Sequence, residues 1–412
     1  MAKSTKPANT AGNQAFRFAH PFFTDVPISK RKKIAGVGTR MTDFIQTQLQ
    51  PIPDPIRPKS VMTLEEVIGS SGVTEIVDQA KQIVFHATGD TGELAGNSQQ
   101  MVADAMTSDY DISNPATSPA FFYHLGDVDY YDNTDQGYHA QFYEPYKKYP
   151  GKIIAIPGNH DGELFNWANK STGQTKTLEA FMRNFCQPTA GVPPAAGTIY
   201  RQMVSQPGVY FLLQCPFVDI VGLYSNMAEN PGYIVAPSES DPNNTHTQTD
   251  WLTATLTGIA QNRTQTGERK ALIIAVHHPP FSVGAHSSST EMLGDIDTCC
   301  NAAGIMPDAF LTAHSHNMQR YTRYITFNGK SMQIPFFVCG CGGRKIQPVI
   351  QATGARSGDH SYDKSVSAYG YLKVTADSKT LNIQFIEVLA EDEKQVFDNV
   401  TIDLATNTLT GN

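Results

Sequence analysis

The sequence contains no run of eighteen or more apolar residues, which excludes a membrane-spanning helix. Cysteine is scarce: Cys186, Cys215, Cys299, Cys300, Cys339 and Cys341 are too few to staple a chain of 412 residues. None stands in CxxC spacing, so zinc-type spacing is missing and reduced, mostly buried thiols are expected. Positive charge is also in deficit. With 31 Lys and Arg against 39 Asp and Glu, the net charge is −8, and a nucleic-acid or anionic-membrane binder would need a basic field. The N-terminus is basic, but no apolar segment follows it, so it does not read as a secretory leader. A soluble, cytoplasmic chain is expected, a mature secreted one being the alternative. Internal repeats and low-complexity tracts are absent as well.

What is present is globular. Hydrophobic residues make up 40 % and charged ones 17 %, enough for a large core, which excludes wholesale disorder, a collagen-like fibre and a coiled coil. Residues 1 to about 60 lack sustained periodicity, and their basic run Lys30–Lys33 reads as a solvated face. Thr63 followed by Glu66 has the form of a capping box, predicting a helix or helical pair up to about Gln82. Beyond it, short apolar runs at Ile83–Thr88, Phe121–Leu125, Lys152–Ile156, Val218–Leu223, Ala271–Val276 and Asp308–Thr312 have the length of buried strands. Helix-period segments such as Asp250–Ala260 lie between them, so βαβ units in a largely parallel sheet are expected. Tyr369–Val374 and Thr380–Ile386 flank a turn and predict a hairpin.

The chemistry sits just past these strands. In order come Gly89-Asp90-Thr91-Gly92, Gly126-Asp127-Val128-Asp129-Tyr130, Gly158-Asn159-His160-Asp161, His277-His278-Pro279-Pro280 and Ala313-His314-Ser315-His316. Ligands of open α/β sheets gather beyond the carboxyl ends of the strands, and carboxylate, imidazole and amide oxygen suit hard to borderline cations. Each block alone is weak: a Gly-Asp pair is usually a turn, and paired histidines often belong to a core. Five in order, each after an apolar run, make coincidence a poor explanation.

Together these motifs resemble the calcineurin-like metallophosphoesterases, and within them the purple acid phosphatase group, whose pattern runs GDxG, GDxxY, GNH[DE], xxxH, GHxH. The likeness spans about residues 83–390, with Ala313 in place of the last motif's Gly. It implies a four-layer α/β/β/α sandwich, with residues 1–80 as an N-terminal extension with helices, 81–395 as the catalytic domain and 396–412 as a C-terminal tail or strand. Most members carry His two residues after the first Asp, where this chain has Gly92. Tyr130, three residues beyond Asp127, stands ready as a substitute, and a phenolate favours Fe(III). Carried over residue by residue, the resemblance implies one metal on Asp90, Asp127, Tyr130 and His316. A second, Fe(II), Zn, Mn or Mg, would sit on Asp127, Asn159, His277 and His314, with Asp127 bridging.

The expected reaction is hydrolysis of a phosphate ester, most simply a monoester, with a diester as the alternative and a non-catalytic scaffold as a distant third. The resemblance implies a hydroxide between the metals as nucleophile, with His160 assisting the leaving group and Asp161 orienting His160. His314 and His316, two apart, are expected on one side of an extended segment. His286 has two readings, a substrate contact or a solvated loop residue, and His246 reads as surface. The segment Glu163–Tyr200, with Phe165 and Trp167, is expected to wall the pocket. The Gly-rich stretch Cys339–Gly343 reads as backbone geometry, without a metal.

Overall fold

A computed structural model describes residues 51–93, 95–111, 113–164, 171–226 and 231–411. Lys30–Lys33 and the pair Phe165 and Trp167 lie outside them. The expected strands form two sheets. One has nine strands, in the spatial order Val61–Thr63 (β1), Phe211–Gln214 (β5), Val218–Leu223 (β6), Ala271–Val276 (β7), Ala309–Thr312 (β8), Lys330–Cys339 (β10), Met318–Phe327 (β9), His360–Val366 (β12) and Arg356–Ser357 (β11). The other has seven, in the order Thr408–Thr410 (β16), Glu393–Asp403 (β15), Thr380–Ala390 (β14), Gly370–Asp377 (β13), Gln82–Thr88 (β2), Phe121–His124 (β3) and Lys152–Ala155 (β4).

Neither sheet is largely parallel, which corrects the expectation. Parallel pairing is confined to β2–β3–β4 in one sheet, and to β6–β7–β8–β10 and β1–β5 in the other. Hairpins and the long-range antiparallel pairs β2–β13 and β9–β12 supply the rest. β9 and β10 meet across Asn328 and Gly329, both at positive φ (50° and 76°), the backbone that a tight hairpin turn requires. β13 and β14 form the expected hairpin, closed by Asp377 Oδ1, which accepts from the amides of Lys379 and Thr380, each at 2.7 Å.

Strand alternation builds four layers. Ile83, Phe85 and Ala87 of β2 point between the sheets, where they meet Ile273, Ala275, Leu311 and Phe337 of the facing sheet. Phe85 stacks on Phe121 at 5.0 Å, and full burial of each ring stabilises the fold by about 1.5–3 kcal/mol. On the outer face of the seven-stranded sheet, Phe122 and Ile153 pack against Val102 and Met106 of the Ser98–Thr107 helix. The outer face of the nine-stranded sheet is covered by Leu252, Leu256 and Ile259 of the Thr247–Thr266 helix, and by Met292 and Ile296 of the Thr290–Ala303 helix. The result is an α/β/β/α sandwich.

Thr63 caps the Leu64–Thr74 helix with its full capping box. Gly69 (φ 78°) kinks the helix, and a π-helical turn over Glu75–Ala80 ends at Lys81 in the left-handed region. Met62, Leu64, Val67 and Ile76 of this segment belong to the core between the sheets.

One half-buried charge cluster ties the seven-stranded sheet to its helices. Asp109 binds His86 Nε2 (3.0 Å), Lys394 Nζ (2.7 Å) and Tyr371 Oη (2.8 Å). Burial works against its charge, but His86 and Lys394 prevail and hold the carboxyl well below the usual range. Asp109→Ala is expected to cost about 1–3 kcal/mol in urea unfolding at neutral pH, because it leaves His86 Nε2 and the Lys394 ammonium without their carboxylate. A depressed carboxyl pKa stabilises above its unfolded value, so this loss is expected in full at pH 7. It should shrink as pH falls below about 4, where Asp109 protonates in the unfolded chain.

Candidate functional site

The strands β2, β3, β4, β7 and β8 end at one place, between the two sheets' carboxyl edges. Three residues there leave their strands with left-handed backbone: Asp90 (φ 52°), Asp127 (φ 56°) and His314 (φ 67°). Such conformations cost of order 1–3 kcal/mol each for a non-glycine residue and cluster at functional sites. Cross-links hold them. Asp90 Oδ2 accepts from the His314 amide at 2.6 Å, and Asp127 Oδ1 from the His160 amide at 2.9 Å. Glycines make room: a Cβ at Gly158 would lie 2.1 Å from Asp127 Oδ1, and one at Gly340 would lie 2.5 Å from Asp90 Oδ2.

All seven expected ligands come together here. Tyr130 Oη donates to Asp90 Oδ1 at 3.0 Å and lies 3.2 Å from His316 Nε2, which is 3.4 Å from Asp90 Oδ1. Alongside, Asn159 Oδ1 is 3.1 Å from His277 Nε2 and 3.0 Å from His314 Nδ1, and His277 Nε2 is 3.4 Å from Asp127 Oδ2. One donor atom from each of Asp127, His277 and His314 lies within 4.8 Å of the other two. Six of the seven residues are buried, His316 being the most open, with 13 % of its side chain exposed.

The donor set fits cations. A backbone carbonyl can only accept, so the contacts of His277 Nδ1 with Leu125 O (2.8 Å) and His316 Nδ1 with Lys345 O (3.2 Å) place the protons on Nδ1. His277 Nε2 then faces the Asp127 carboxylate and the Asn159 amide oxygen, and His316 Nε2 the Asp90 carboxylate and the Tyr130 hydroxyl. Acceptors facing acceptors in a buried site need positive charge among them. The same demand shows in His277. Burial opposes its charged form, yet the carboxylates of Asp127 and Asp90 push it up to about 9. Asp127 is held well below the carboxylate range by the imidazoles of His277 and His160, against the effect of burial. Burial, with Asp90 and Asp127 beside it, pushes the Tyr130 phenol well above its usual value. A phenolate at this position therefore needs a cation to form.

Tyr130 is set by Gln141, whose Oε1 accepts from the Tyr130 amide (3.0 Å) and whose Nε2 donates to the Tyr130 carbonyl (3.1 Å). A Cβ at Gly92 would stand 2.9 Å from Tyr130 Cδ2 and 2.8 Å from Gln141 Oε1. The Tyr130 ring thus fills the space that a side chain at position 92 would need.

Two expectations need correction. Asp161 does not orient His160. Its carboxylate accepts from the amides of Asp127 (2.9 Å), Gly158 (2.7 Å) and Val128 (3.0 Å), fixing the loop that carries Asp127. Burial and the neighbouring Asp127 carboxylate push Asp161 up to about 7 despite those donors. The carboxylate beside His160 is Glu163, with Oε1 2.8 Å from His160 Nδ1. Next, His314 and His316 do not lie on an extended segment, because His314 turns the chain through the left-handed region. The cavity over the site, about 610 Å³, is walled by Ala285, His286 and residues 344–348; none of the described residues of Glu163–Tyr200 lines it, while Phe165 and Trp167 lie outside the described residues.

His286 is buried, not solvated. Its ring lies 4.2 Å from that of His314, and its Nε2 is 3.0 Å from Gln347 Nε2. His278 is also buried, with Nδ1 2.7 Å from Ser225 Oγ, while His246 is exposed. Cys339 and Cys341 are free and buried, with Sγ atoms 3.7 Å apart beneath the Asp90 loop. Glu163, Gln141 and Arg344 carry no motif signal, and only Glu163, three residues past His160, has a spacing from which it could be inferred.

The fold and the site define a metallophosphoesterase. The chain belongs to the calcineurin-like phosphoesterase family, whose model matches residues 83–318. No curated protein matches it. Among solved structures it is similar to GAP50, the anchor in the inner membrane complex of Plasmodium, at 12 % identity, covering 78 % of this chain and 89 % of that one with a TM-score of 0.48. It is also similar to PhoD (14 % identity, 80 % and 71 % covered, TM-score 0.45). A third likeness is to vacuolar protein sorting 29 from Cryptosporidium parvum (12 % identity, 78 % and 98 % covered, TM-score 0.29). Among the described residues no helix is long and apolar enough to cross a membrane.

Proposed function

We propose that this chain is a dinuclear, purple acid phosphatase-like hydrolase of phosphate monoesters. Asp90, Asp127, Tyr130 and His316 would hold Fe(III), and Asp127, Asn159, His277 and His314 a second ion, Fe(II), Zn, Mn or Mg. When bound, such a pair supplies Lewis acidity and an acidified water for attack on phosphorus. The observation that carries the reading is Tyr130, whose ring fills the place beside Gly92 and whose hydroxyl reaches both Asp90 and His316.

The chain's own residues do the rest. His160 lines the cavity. With Nδ1 at the Glu163 carboxylate, its Nε2 is the nitrogen that passes a proton to the departing oxygen, a contribution of about 10²–10⁴-fold. Asp161 keeps the Asp127 and Asn159 loops in register through their amides, and Gln141 fixes Tyr130. A cytoplasmic location is part of this reading, supported by six free thiols.

The test of the tyrosine is optical. The iron-loaded protein is expected to show a visible charge-transfer band that disappears in Tyr130→Phe, and an iron-loaded wild type without colour would refute tyrosine ligation. Comparing p-nitrophenyl phosphate with bis-p-nitrophenyl phosphate decides between monoester and diester preference, and turnover of the diester alone would overturn the monoester assignment.

A further inference from the structure

The strap after β10 brings a cation to the site that the metal-binding motifs do not account for. The Arg344 amide donates to the Asp90 carbonyl at 2.8 Å, so the residue is anchored to the first motif. Its guanidinium lies over the Tyr130 ring at 4.4 Å and near the Tyr131 ring at 5.2 Å, and donates to Tyr131 Oη at 3.1 Å. Aromatic stacking holds the planar fork in place without using up its donors. Among the described residues no carboxylate pairs with Arg344, and one hydroxyl takes one of its five N–H groups. The cavity it lines holds Lys345 as well, and Asp127 is the single carboxylate among its described lining residues. In a chain of net charge −8, that is a local anion site.

Its place relative to His160 makes the assignment specific. The His160 ring lies 4.4 Å from Tyr130 and 5.0 Å from Tyr131, the same two rings that carry Arg344. His160 and Arg344 thus both line the cavity and both pack on the Tyr130–Tyr131 pair.

We infer that Arg344 binds a negatively charged leaving group, so that the site takes a terminal phosphate joined to a second phosphate, as in a nucleoside diphosphate. This rests on the phosphoester reading above. In the reaction, the oxygen of water bonds to the terminal phosphorus as the bridging P–O bond breaks. The leaving phosphate keeps the bonding pair and receives a proton from His160, and the proton released by water restores His160. Arg344 steadies the charge on the departing group through two N–H donors.

The test compares ADP with p-nitrophenyl phosphate, whose leaving group has no second phosphate, in metal-loaded wild type, Arg344→Ala and Arg344→Lys. Metal content and melting temperature are measured on each. The loss of a charge-assisted fork corresponds to about ten- to hundredfold. Arg344→Ala is expected to raise KM for ADP by that factor, with kcat/KM for p-nitrophenyl phosphate changed less than about threefold. Arg344→Lys, which keeps the charge and loses the fork, should fall between. Calorimetric binding of α,β-methylene-ADP, which lacks the cleavable bridge, should weaken by the same factor in Arg344→Ala. Equal losses on both substrates, or unchanged ADP kinetics and binding in well-folded variants, would overturn the inference while leaving the phosphoesterase reading intact. A wild type inactive on every phosphate ester, yet binding α,β-methylene-ADP through Arg344, would sink that reading and uphold the anion site.

Discussion

Asp127→Asn is expected to lower kcat on p-nitrophenyl phosphate by at least about 10³-fold and to leave the protein with one metal ion or none. The reasoning is electrostatic and geometric together. Asp127 stands between the halves of the donor set, whereas Asp90, 4.0 Å from His277 Nε2, is turned mainly to Tyr130 and His316. Asp127 lies 3.4 Å from His277 Nε2, belongs to the tight triad with His277 and His314, and borders the Tyr130 side of the site. Its charge is favoured by two imidazoles although the group is buried. An amide there removes the charge that both cations would share, and cation affinity depends on deprotonated, anionic donors. The substitution is nearly isosteric, but it removes a charge that His277 and His160 favour, so the melting temperature of the metal-free protein should fall at neutral pH. Metal analysis and steady-state kinetics on the same sample check the pair of outcomes. Full metal occupancy with wild-type kcat would refute the bridging role.

The second large effect concerns proton delivery. His160→Ala is expected to lower kcat by about 10²–10⁴-fold with both metals retained, since the His160 side chain is not among the expected ligands. The loss should grow with the pKa of the leaving alcohol: an alkyl phosphate needs the proton more than p-nitrophenyl phosphate does. Glu163→Gln should reproduce a smaller loss of the same character, because the new side-chain amide can still contact Nδ1 but brings no charge. Asp161→Asn should behave differently. An amide NH₂ facing the amides of Asp127, Gly158 and Val128 disturbs the loop, so metal retention and stability should fall together. If Asp161→Asn gave the selective loss and Glu163→Gln were silent, the assignment of partners to His160 would be reversed.

That contrast shows how much of the site is legible in the sequence. Apolar runs ending in Gly-Asp, Gly-Asn-His-Asp and His-Ser-His marked the strand ends, because a parallel strand feeding a turn at a sheet's carboxyl edge leaves a local signature. All seven expected ligands meet there. The partner of His160 is not readable by adjacency. His160–Gly162 forms a 3₁₀ turn, which brings positions i and i+3 onto one side, so Glu163 stands beside the imidazole and Asp161 turns back to the Asp127 loop. The antiparallel half of each sheet hid for a related reason: pairings such as β9 with β12 and β2 with β13 join segments far apart in the chain. The wall of the cavity is likewise long-range. Arg344 reaches Asp90 and Tyr131 from more than two hundred positions away, and no local pattern marks it. Gly92 is the counter-example. Its lack of a side chain, read with Tyr130, foretold a real steric relation, because the ring and a Cβ at 92 compete for one space.

The central claim is that two cations share Asp127, and one anomalous-diffraction measurement on crystals of the active, metal-replete protein tests it most directly. The expected map has two peaks, one contacting Asp90, Asp127, Tyr130 and His316 with an iron-edge signal, the other contacting Asp127, Asn159, His277 and His314. A single peak, or none, in protein that hydrolyses phosphate esters would contradict it.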